Sequence, residues 1–289
     1  MAKSVDKVYG NTQSNGTVSG GSTKKLPIVV CLDVSPSMFN YNRYQRQNIA
    51  LQEFLMRIAQ VYKVWETAEI AFVTFADDIV MKTDFMSLGD MRFPADVVTR
   101  DMQVLQLVSS GVRERTIKVP FFEPLKRKAC TELPRAVGRA HKMLCERMSD
   151  IKKSNYSHYA PFLVVVTDGN PDSQDYQEWE SAGYRDEEMN ICRKLALWCN
   201  PMQPLDRLIL PFFVGIGSEG VDFTGLRRLA RNLPAGLFIV EDDDEDSVSE
   251  LGRVFSVMAD TISKSVNYNT TQELLRVVES DISAAKKRI

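Results

Sequence analysis

The stretch that decides the fold is Ile28-Val29-Val30-Cys31-Leu32-Asp33-Val34-Ser35-Pro36-Ser37-Met38. It opens with five apolar residues in a row, the first three of them β-branched, which is typical of a strand covered on both faces of a sheet. The apolar run stops at Asp33, and the hydroxyls of Ser35 and Ser37 follow. The sequence therefore predicts a central strand that delivers a loop of oxygen donors to the edge of a sheet.

A second stretch has the same design. Residues 161–167 read Pro-Phe-Leu-Val-Val-Val-Thr, and Asp168 follows them directly. Residues 69–75 and 79–85 predict two further strands, and the three residues between them are too few for a parallel crossover, so these strands form an antiparallel hairpin. Because strands alternate with helices elsewhere, we predict an α/β fold with a doubly wound, mostly parallel six-stranded sheet and one antiparallel edge strand.

This topology predicts where the polar strand ends meet. In a doubly wound sheet the first strand of each half lies at the centre, so Asp33 and Asp168 fall in the crevice outside the carboxyl ends of neighbouring strands. Thr131 begins a helix predicted over residues 131–153, and that helix opens at the same edge. We therefore expect Asp33, Asp168 and Thr131 to lie close together.

Composition and periodicity divide the rest of the chain. Residues 1–25 are rich in Ser, Thr, Gly and Asn and are expected to form a flexible arm. Residues 26–265 are predicted to form one domain, in which residues 86–128 are an irregular insertion with a short helix over residues 96–108. Residues 266–289 are predicted to form a C-terminal helical tail.

The composition narrows the classes of function. The 36 basic and 38 acidic side chains give a formal net charge of -2, so no direct contact with nucleic acid is expected. No apolar run approaches the length of a membrane span and no signal-peptide pattern begins the chain, which favours a cytoplasmic protein without membrane contact. The five cysteines contain no Cys-x-x-Cys pair and are expected to be reduced thiols, and the two histidines are too few for a histidine-based metal site.

Two carboxylates in one crevice repel each other, and a cation relieves that repulsion. The donors are all oxygens, which predicts a hard ion, Mg²⁺ first, with Mn²⁺ and Ca²⁺ as alternatives. Hydroxyls are weak neutral ligands, so the bound ion is expected to keep water and to accept a carboxylate from another protein. The predicted metal site consists of Asp33, Ser35, Ser37, Thr131 and Asp168.

The three motifs, Asp33-Val34-Ser35-Pro36-Ser37, Cys130-Thr131-Glu132-Leu133 and Val166-Thr167-Asp168-Gly169, resemble the complete metal-ion-dependent adhesion site (MIDAS) of von Willebrand factor A domains. The resemblance spans roughly residues 26–265. It implies that Ser35, Ser37 and Thr131 are hydroxyl ligands and that Asp33 and Asp168 act directly or through water. Pro36 stands where that family usually has glycine. The segment Thr-Asp-Gly-Asn-Pro-Asp and the later Phe-Val-Gly-Ile-Gly further resemble the bacterial TerY-type branch, which is associated with tellurium resistance and stress response.

The resemblance implies an adaptor or assembly subunit that grips an Asp or Glu of a partner protein through the metal. Pro36, Met38 and Asn170 flank the ligands and are expected to contact that partner. An operon-encoded kinase, phosphatase, AAA+ ATPase or phage-defence nuclease would each fit such a complex.

Three alternatives accompany this hypothesis. Asp33, Ser35 and Ser37 taken alone would form an ordinary helix cap and turn. A metal-dependent phosphohydrolase is a second alternative, although Ser35 occupies the position where such enzymes need a second carboxylate, and no general base is evident. A structural subunit with a vestigial metal site is the third.

Overall fold

The structure is a computed structural model of the 289-residue chain. It describes residues 24–286 except 128, 130, 170–183, 218–220, 222, 232, 235 and 242–246. The predicted N-terminal arm, residues 1–25, therefore lies almost wholly outside the described residues.

A mostly parallel sheet forms the centre of the fold. The strands in chain order are β1 (Lys24–Asp33), β2 (Ala68–Phe75), β3 (Ile79–Met81), β4 (Met86–Ser87), β5 (Val98–Val108), β6 (Gly111–Phe121), β7 (Ser157–His158), β8 (Phe162–Thr167), β9 (Leu210–Ile216) and β10 (Leu237–Val240). The sheet order is β10-β9-β8-β1-β2-β3, with β3 antiparallel at the edge and the short β4 and β7 beside β2 and β1. The predicted fold class is confirmed.

The apolar runs explain why these strands are central. Residues 26–33 of β1 and every residue of β8 and β9 are buried, as expected for strands covered on both faces. Alternate side chains of β1 enter opposite core layers: Ile28, Val30 and Leu32 enter one, and Val29 and Cys31 enter the other.

Helices cover both faces of the sheet. In chain order they are α1 (Arg43–Gln60), α2 (Tyr62–Thr67), α3 (Leu133–Lys153), α4 (Tyr184–Trp198), α5 (Thr224–Ala230), α6 (Ser247–Ser265) and α7 (Thr271–Lys286). Buried residues of α1, α6 and α7 share one core layer, and those of α3, α4 and α5 share the other. The tail predicted from residue 266 contains α7, whose Leu274, Val278 and Ile282 are buried in the same layer as α1.

The helix predicted over residues 96–108 is wrong. Strands β5 and β6 instead form a long antiparallel hairpin, which also replaces much of the irregular insertion predicted over residues 86–128. One face of the hairpin packs on α1, where the Gln106 side-chain amide donates to the Ala59 carbonyl oxygen at 2.6 Å. Leu105 and Leu107 are exposed on the other face. Because apolar side chains lie on both faces, the alternation of period two was masked in the sequence.

The structure shows no disulfide among the cysteines that it describes. Cys31 and Cys199 are buried, whereas Cys145 and Cys192 are half-buried. Within the part of the chain that the structure describes, no helix is long and apolar enough to cross a membrane.

Candidate metal-binding site

Strands β1 and β8 bring two carboxylates to one edge of the sheet. The strands are parallel neighbours with Leu32 opposite Val166, so Asp33 ends β1 at the edge where Asp168 follows β8. Both aspartates are 0% exposed. The structure therefore places two buried carboxylates at the carboxyl ends of adjacent central strands, as the topology predicted.

The Asp33 carboxylate is fixed by hydrogen bonds from both sides. The backbone N–H of Ser35 donates to Oδ1 at 2.8 Å, and the Thr167 hydroxyl donates to Oδ2 at 2.5 Å. Thr167 in turn accepts a bond of 3.0 Å from the backbone N–H of Gly169, whose positive φ of 66° suits glycine. The last residue of β8 thus orients the last residue of β1.

Hydrogen bonds hold both backbone groups of Val34, the first residue of the loop after β1. The Val34 N–H donates to the Phe75 carbonyl at 2.9 Å, and the Val34 carbonyl accepts from the Leu125 N–H at 2.8 Å. The Ser35 and Ser37 hydroxyls lie 2.9 Å apart, and Ser35 is 1% exposed. The five consecutive residues 33–37 therefore supply two hydroxyls and one carboxylate, and hydrogen bonds fix the backbone of this segment where it leaves β1.

Electrostatics at this edge favour a positive charge. Burial, and after it the negative charge of Asp168, raises the pKa of Asp33 to about 7, while the hydrogen bonds from Thr167 and Ser35 act in the opposite direction. A carboxylate held charged here thus needs a cation beside it.

Helix α1 supplies one cation that the sequence did not predict. The Arg43 guanidinium donates from Nη1 to Asp168 Oδ2 at 3.1 Å, and the side chain is almost completely buried. One turn later, the Gln47 side-chain amide donates to the Asp33 carbonyl at 3.3 Å, and its Oε1 is buried without a hydrogen-bond partner among the described residues. The available signal was spacing, because Arg43 and Gln47 extend the buried face of α1 by i, i+4 steps toward the strand ends.

Thr131 lies at the same edge of the sheet, because the backbone of the next residue, Glu132, is bonded there. The Glu132 N–H donates to the Ala76 carbonyl at 2.8 Å, and Ala76 directly follows β2, whose Phe75 is opposite Asp33. Thr131 is half-buried. Among the described residues, no hydrogen bond joins the Thr131 side chain to the other four predicted ligands, so its membership of the site stays a prediction.

The predicted partner contacts fare differently from one another. Met38 is completely buried in the core layer of α1, so its side chain is not available to a partner and that prediction is wrong. The apolar side chain packs inward because the residues after Pro36 turn back into a short 3₁₀ helix, Pro36–Asn42. Pro36 is half-buried, and Asn170 lies outside the described residues.

The residues present fit a hard divalent ion. Within the described ranges no three His, Cys, Asp or Glu side chains come together as a metal-binding group. The oxygen donors at this edge are the carboxylates of Asp33 and Asp168 and the hydroxyls of Ser35 and Ser37. Such oxygens suit Mg²⁺, Mn²⁺ or Ca²⁺ and are poor ligands for soft metals. The Arg43 guanidinium already places one positive charge beside Asp168, and the Gln47 Oε1, which has no hydrogen-bond partner among the described residues, belongs to a side chain that contacts the Asp33 carbonyl.

No protein-family model matches the sequence, and no curated protein matches it either. Solved structures align with the chain. The ArnB paralog VWA2 from Sulfolobus acidocaldarius aligns over 80% of this chain and 45% of its own, with 16% identity and a TM-score of 0.38. BatB from Bacteroides thetaiotaomicron aligns over 84% of this chain and 100% of its own, with 12% identity and a TM-score of 0.46.

A third similar structure is proximal thread matrix protein 1 from the mussel byssus, solved with a zinc-occupied MIDAS motif. It aligns over 83% of this chain and 47% of its own, with 14% identity and a TM-score of 0.43. This chain thus spans less than half of the Sulfolobus and mussel proteins. At these identities and TM-scores, neither family membership nor function passes from these structures to this chain.

Proposed function

We propose that this chain is a non-enzymatic protein-interaction module of the von Willebrand factor A type that binds a partner through a divalent metal ion. The observation that carries the proposal is the pair of buried carboxylates, Asp33 and Asp168, at the ends of adjacent central strands beside the hydroxyls of Ser35 and Ser37. Two buried like charges in one crevice are costly without a cation, and the surrounding oxygens suit a hard one.

Each residue has a defined part in this proposal. Asp33 and Asp168 would supply negative charge, and Ser35, Ser37 and Thr131 would supply neutral hydroxyl oxygens. Thr167 orients Asp33 through its 2.5 Å hydrogen bond and is not itself a ligand. When bound, Mg²⁺ would supply an electrophilic centre with an open position for an Asp or Glu carboxylate of the partner, with Mn²⁺ and Ca²⁺ as alternative ions.

The proposal extends to the complex in which this chain acts. The resemblance of the sequence motifs to the TerY-type branch points to a cytoplasmic bacterial stress-response or defence complex. The partner would then be an operon-encoded kinase, phosphatase, AAA+ ATPase or nuclease. Pro36, which is half-buried in the ligand loop, is proposed to contact it.

The metal is tested by isothermal titration of the chelator-treated chain with Mg²⁺ and Mn²⁺. We expect saturable binding that is lost in Asp33→Ala and weakened in Ser37→Ala. The matched control is Asp78→Ala, which removes an exposed carboxylate from the loop after the neighbouring strand. Equal titration curves for the native chain, Asp33→Ala and Asp78→Ala would overturn the metal site.

The partner contact is tested in the same buffers. A captured partner should be released by EDTA, should fail to bind Thr131→Ala, and should lose affinity when its own contacting Asp or Glu is changed to Asn or Gln. Binding that persists in EDTA would contradict a metal-bridged contact. Phosphatase or nuclease turnover that disappears in Asp33→Ala would instead establish an enzyme.

A further inference from the structure

Arg43 introduces a permanent positive charge into the proposed metal site. It is the first residue of α1, is 3% exposed, and its Nη1 lies 3.1 Å from Oδ2 of the fully buried Asp168. A guanidinium stays protonated at any physiological pH. Since both groups are out of solvent, their attraction is weakly screened by salt, and either one left alone would be strongly unfavourable.

The backbone before Arg43 is shaped to hold it there. Tyr41 and Asn42 have φ values of 51° and 55°, a left-handed conformation that is uncommon for residues with a side chain. Such conformations persist only where surrounding contacts maintain them. The Arg43 guanidinium lies over the Tyr41 ring at 5.5 Å from its centroid and pairs with Asp168, so these contacts close the turn that leads into α1.

The charges of the site show what Arg43 changes. Asp33 and Asp168 together carry two negative charges when ionised, which a divalent ion alone would balance. Arg43 already neutralises one of them, so a divalent ion entering the site meets a repelling guanidinium and a carboxylate that is already engaged.

We propose that Arg43 is an internal counter-ion that competes with the divalent metal for Asp168 and thereby sets the affinity of the site for that metal. This inference rests on the proposed metal-dependent function and deepens it. In the absence of metal, Arg43 keeps the two aspartates compatible with a folded site. When the metal binds, the Arg43–Asp168 pair loosens, and the metal affinity is lowered by the free energy of that pair.

The test compares Arg43→Gln with the native chain by isothermal titration with Mg²⁺. We expect Arg43→Gln to bind Mg²⁺ at least about tenfold more tightly, because the competing charge is gone. The matched control is Arg57→Gln, which removes a half-exposed arginine from the same helix and should bind Mg²⁺ as the native chain does. An affinity of Arg43→Gln equal to or weaker than that of the native chain would overturn the proposal.

Thermal unfolding covers the case in which Arg43→Gln is unstable. Without metal, its Tm should lie several degrees below that of the native chain, and Mg²⁺ should raise the Tm of the variant more than that of the native chain. A variant that fails to fold even at saturating Mg²⁺ contradicts the proposal, because the metal should replace the guanidinium. If both chains bind Mg²⁺ equally, only the role of Arg43 fails, whereas if neither binds it, the metal site itself fails.

Discussion

Within the part of the chain that the structure describes, two of the regions that bury titratable groups treat them differently. At the carboxyl edge of the sheet, Asp33, Asp168 and Arg43 are all nearly or fully buried. The Arg43 guanidinium donates to Asp168, while Asp33 accepts from the Ser35 N–H and the Thr167 hydroxyl. Between α3 and α4, His141 is also buried, but its ring contacts the edge of Trp198 at 5.6 Å and a cysteine sulfur rather than a carboxylate.

The two regions differ in the partners that they give to a buried titratable group. Burial, with a smaller contribution from the charge of Lys194, lowers the pKa of His141 to about 4, so the imidazole is neutral near pH 7. The edge of the sheet instead places the Arg43 guanidinium against the Asp168 carboxylate at 3.1 Å. The contrast shows that burial alone favours the neutral form of a titratable group, whereas a partner of opposite charge within hydrogen-bond distance favours the charged form.

The largest expected effect is that of Asp168→Asn in EDTA. It breaks the buried Arg43–Asp168 ion pair by removing the negative charge, so we expect a loss of about 3–5 kcal/mol in the free energy of unfolding, measured by urea denaturation. Asp33→Asn removes one of two repelling carboxylates and keeps an oxygen for the Ser35 N–H, so a change of about 0–1 kcal/mol is expected. If the free energy of unfolding fell equally in the two variants, the Arg43–Asp168 pair would not be the charge pair that stabilises this edge.

The second effect depends on pH and concerns His141. Its folded pKa of about 4 lies below the unfolded value of about 6.5, so the unfolded chain binds the proton first as the pH falls. The contribution of neutral His141 to the free energy of unfolding is thus fully present above about pH 6.5. It is lost as the pH falls toward 4, and the loss amounts to about 2–3 kcal/mol. His141→Gln should remove that part of the pH dependence in urea denaturation. Lys142→Gln, an exposed neighbour on α3, should keep it, and an unchanged slope in His141→Gln would refute the neutral burial of the imidazole.

The smallest effect is that of Thr167→Val, which keeps the shape of the side chain but removes the hydroxyl. Asp33 loses one donor and the Gly169 N–H loses its acceptor, which predicts a loss of about 1–2 kcal/mol in the free energy of unfolding. Thr116→Val is the control, because its 3.2 Å bond to Gln103 lies on the exposed face of the hairpin. If Thr167→Val and Thr116→Val lose the same free energy of unfolding, the buried hydroxyl of Thr167 contributes no more than an exposed one.

The sequence was sufficient for the central sheet and insufficient for its surroundings. Strands β1 and β8 were recognisable because their apolar runs are buried on both faces, and Asp33 and Asp168 followed from the parallel topology. The hairpin of β5 and β6 was missed because its exposed Leu105 and Leu107 alternate with buried residues. A two-faced apolar pattern does not distinguish a strand from a helix.

Arg43 was missed for a different reason. A single arginine at the start of a helix is usually solvated, and its burial depends on the angle at which α1 meets the strand ends, which the left-handed residues Tyr41 and Asn42 set. Thr167 was assigned to a strand, but its hydroxyl role depends on the register of β1 against β8. Both roles are tertiary, so neither composition nor periodicity contains them.

The hydrogen bond from Thr167 to Asp33 has a consequence for synthesis of the chain, because it joins residues 134 positions apart. At about 5–20 residues per second, roughly 7–27 s separate the synthesis of these two residues. During that interval β2 is available to pair with β1, whereas β8, the long neighbour of β1 on its other side, is synthesised only at the end. The Asp33 carboxylate therefore acquires its hydrogen bond from Thr167 only after β8 has paired with β1, at a stage when β9 and β10 have still to join the sheet.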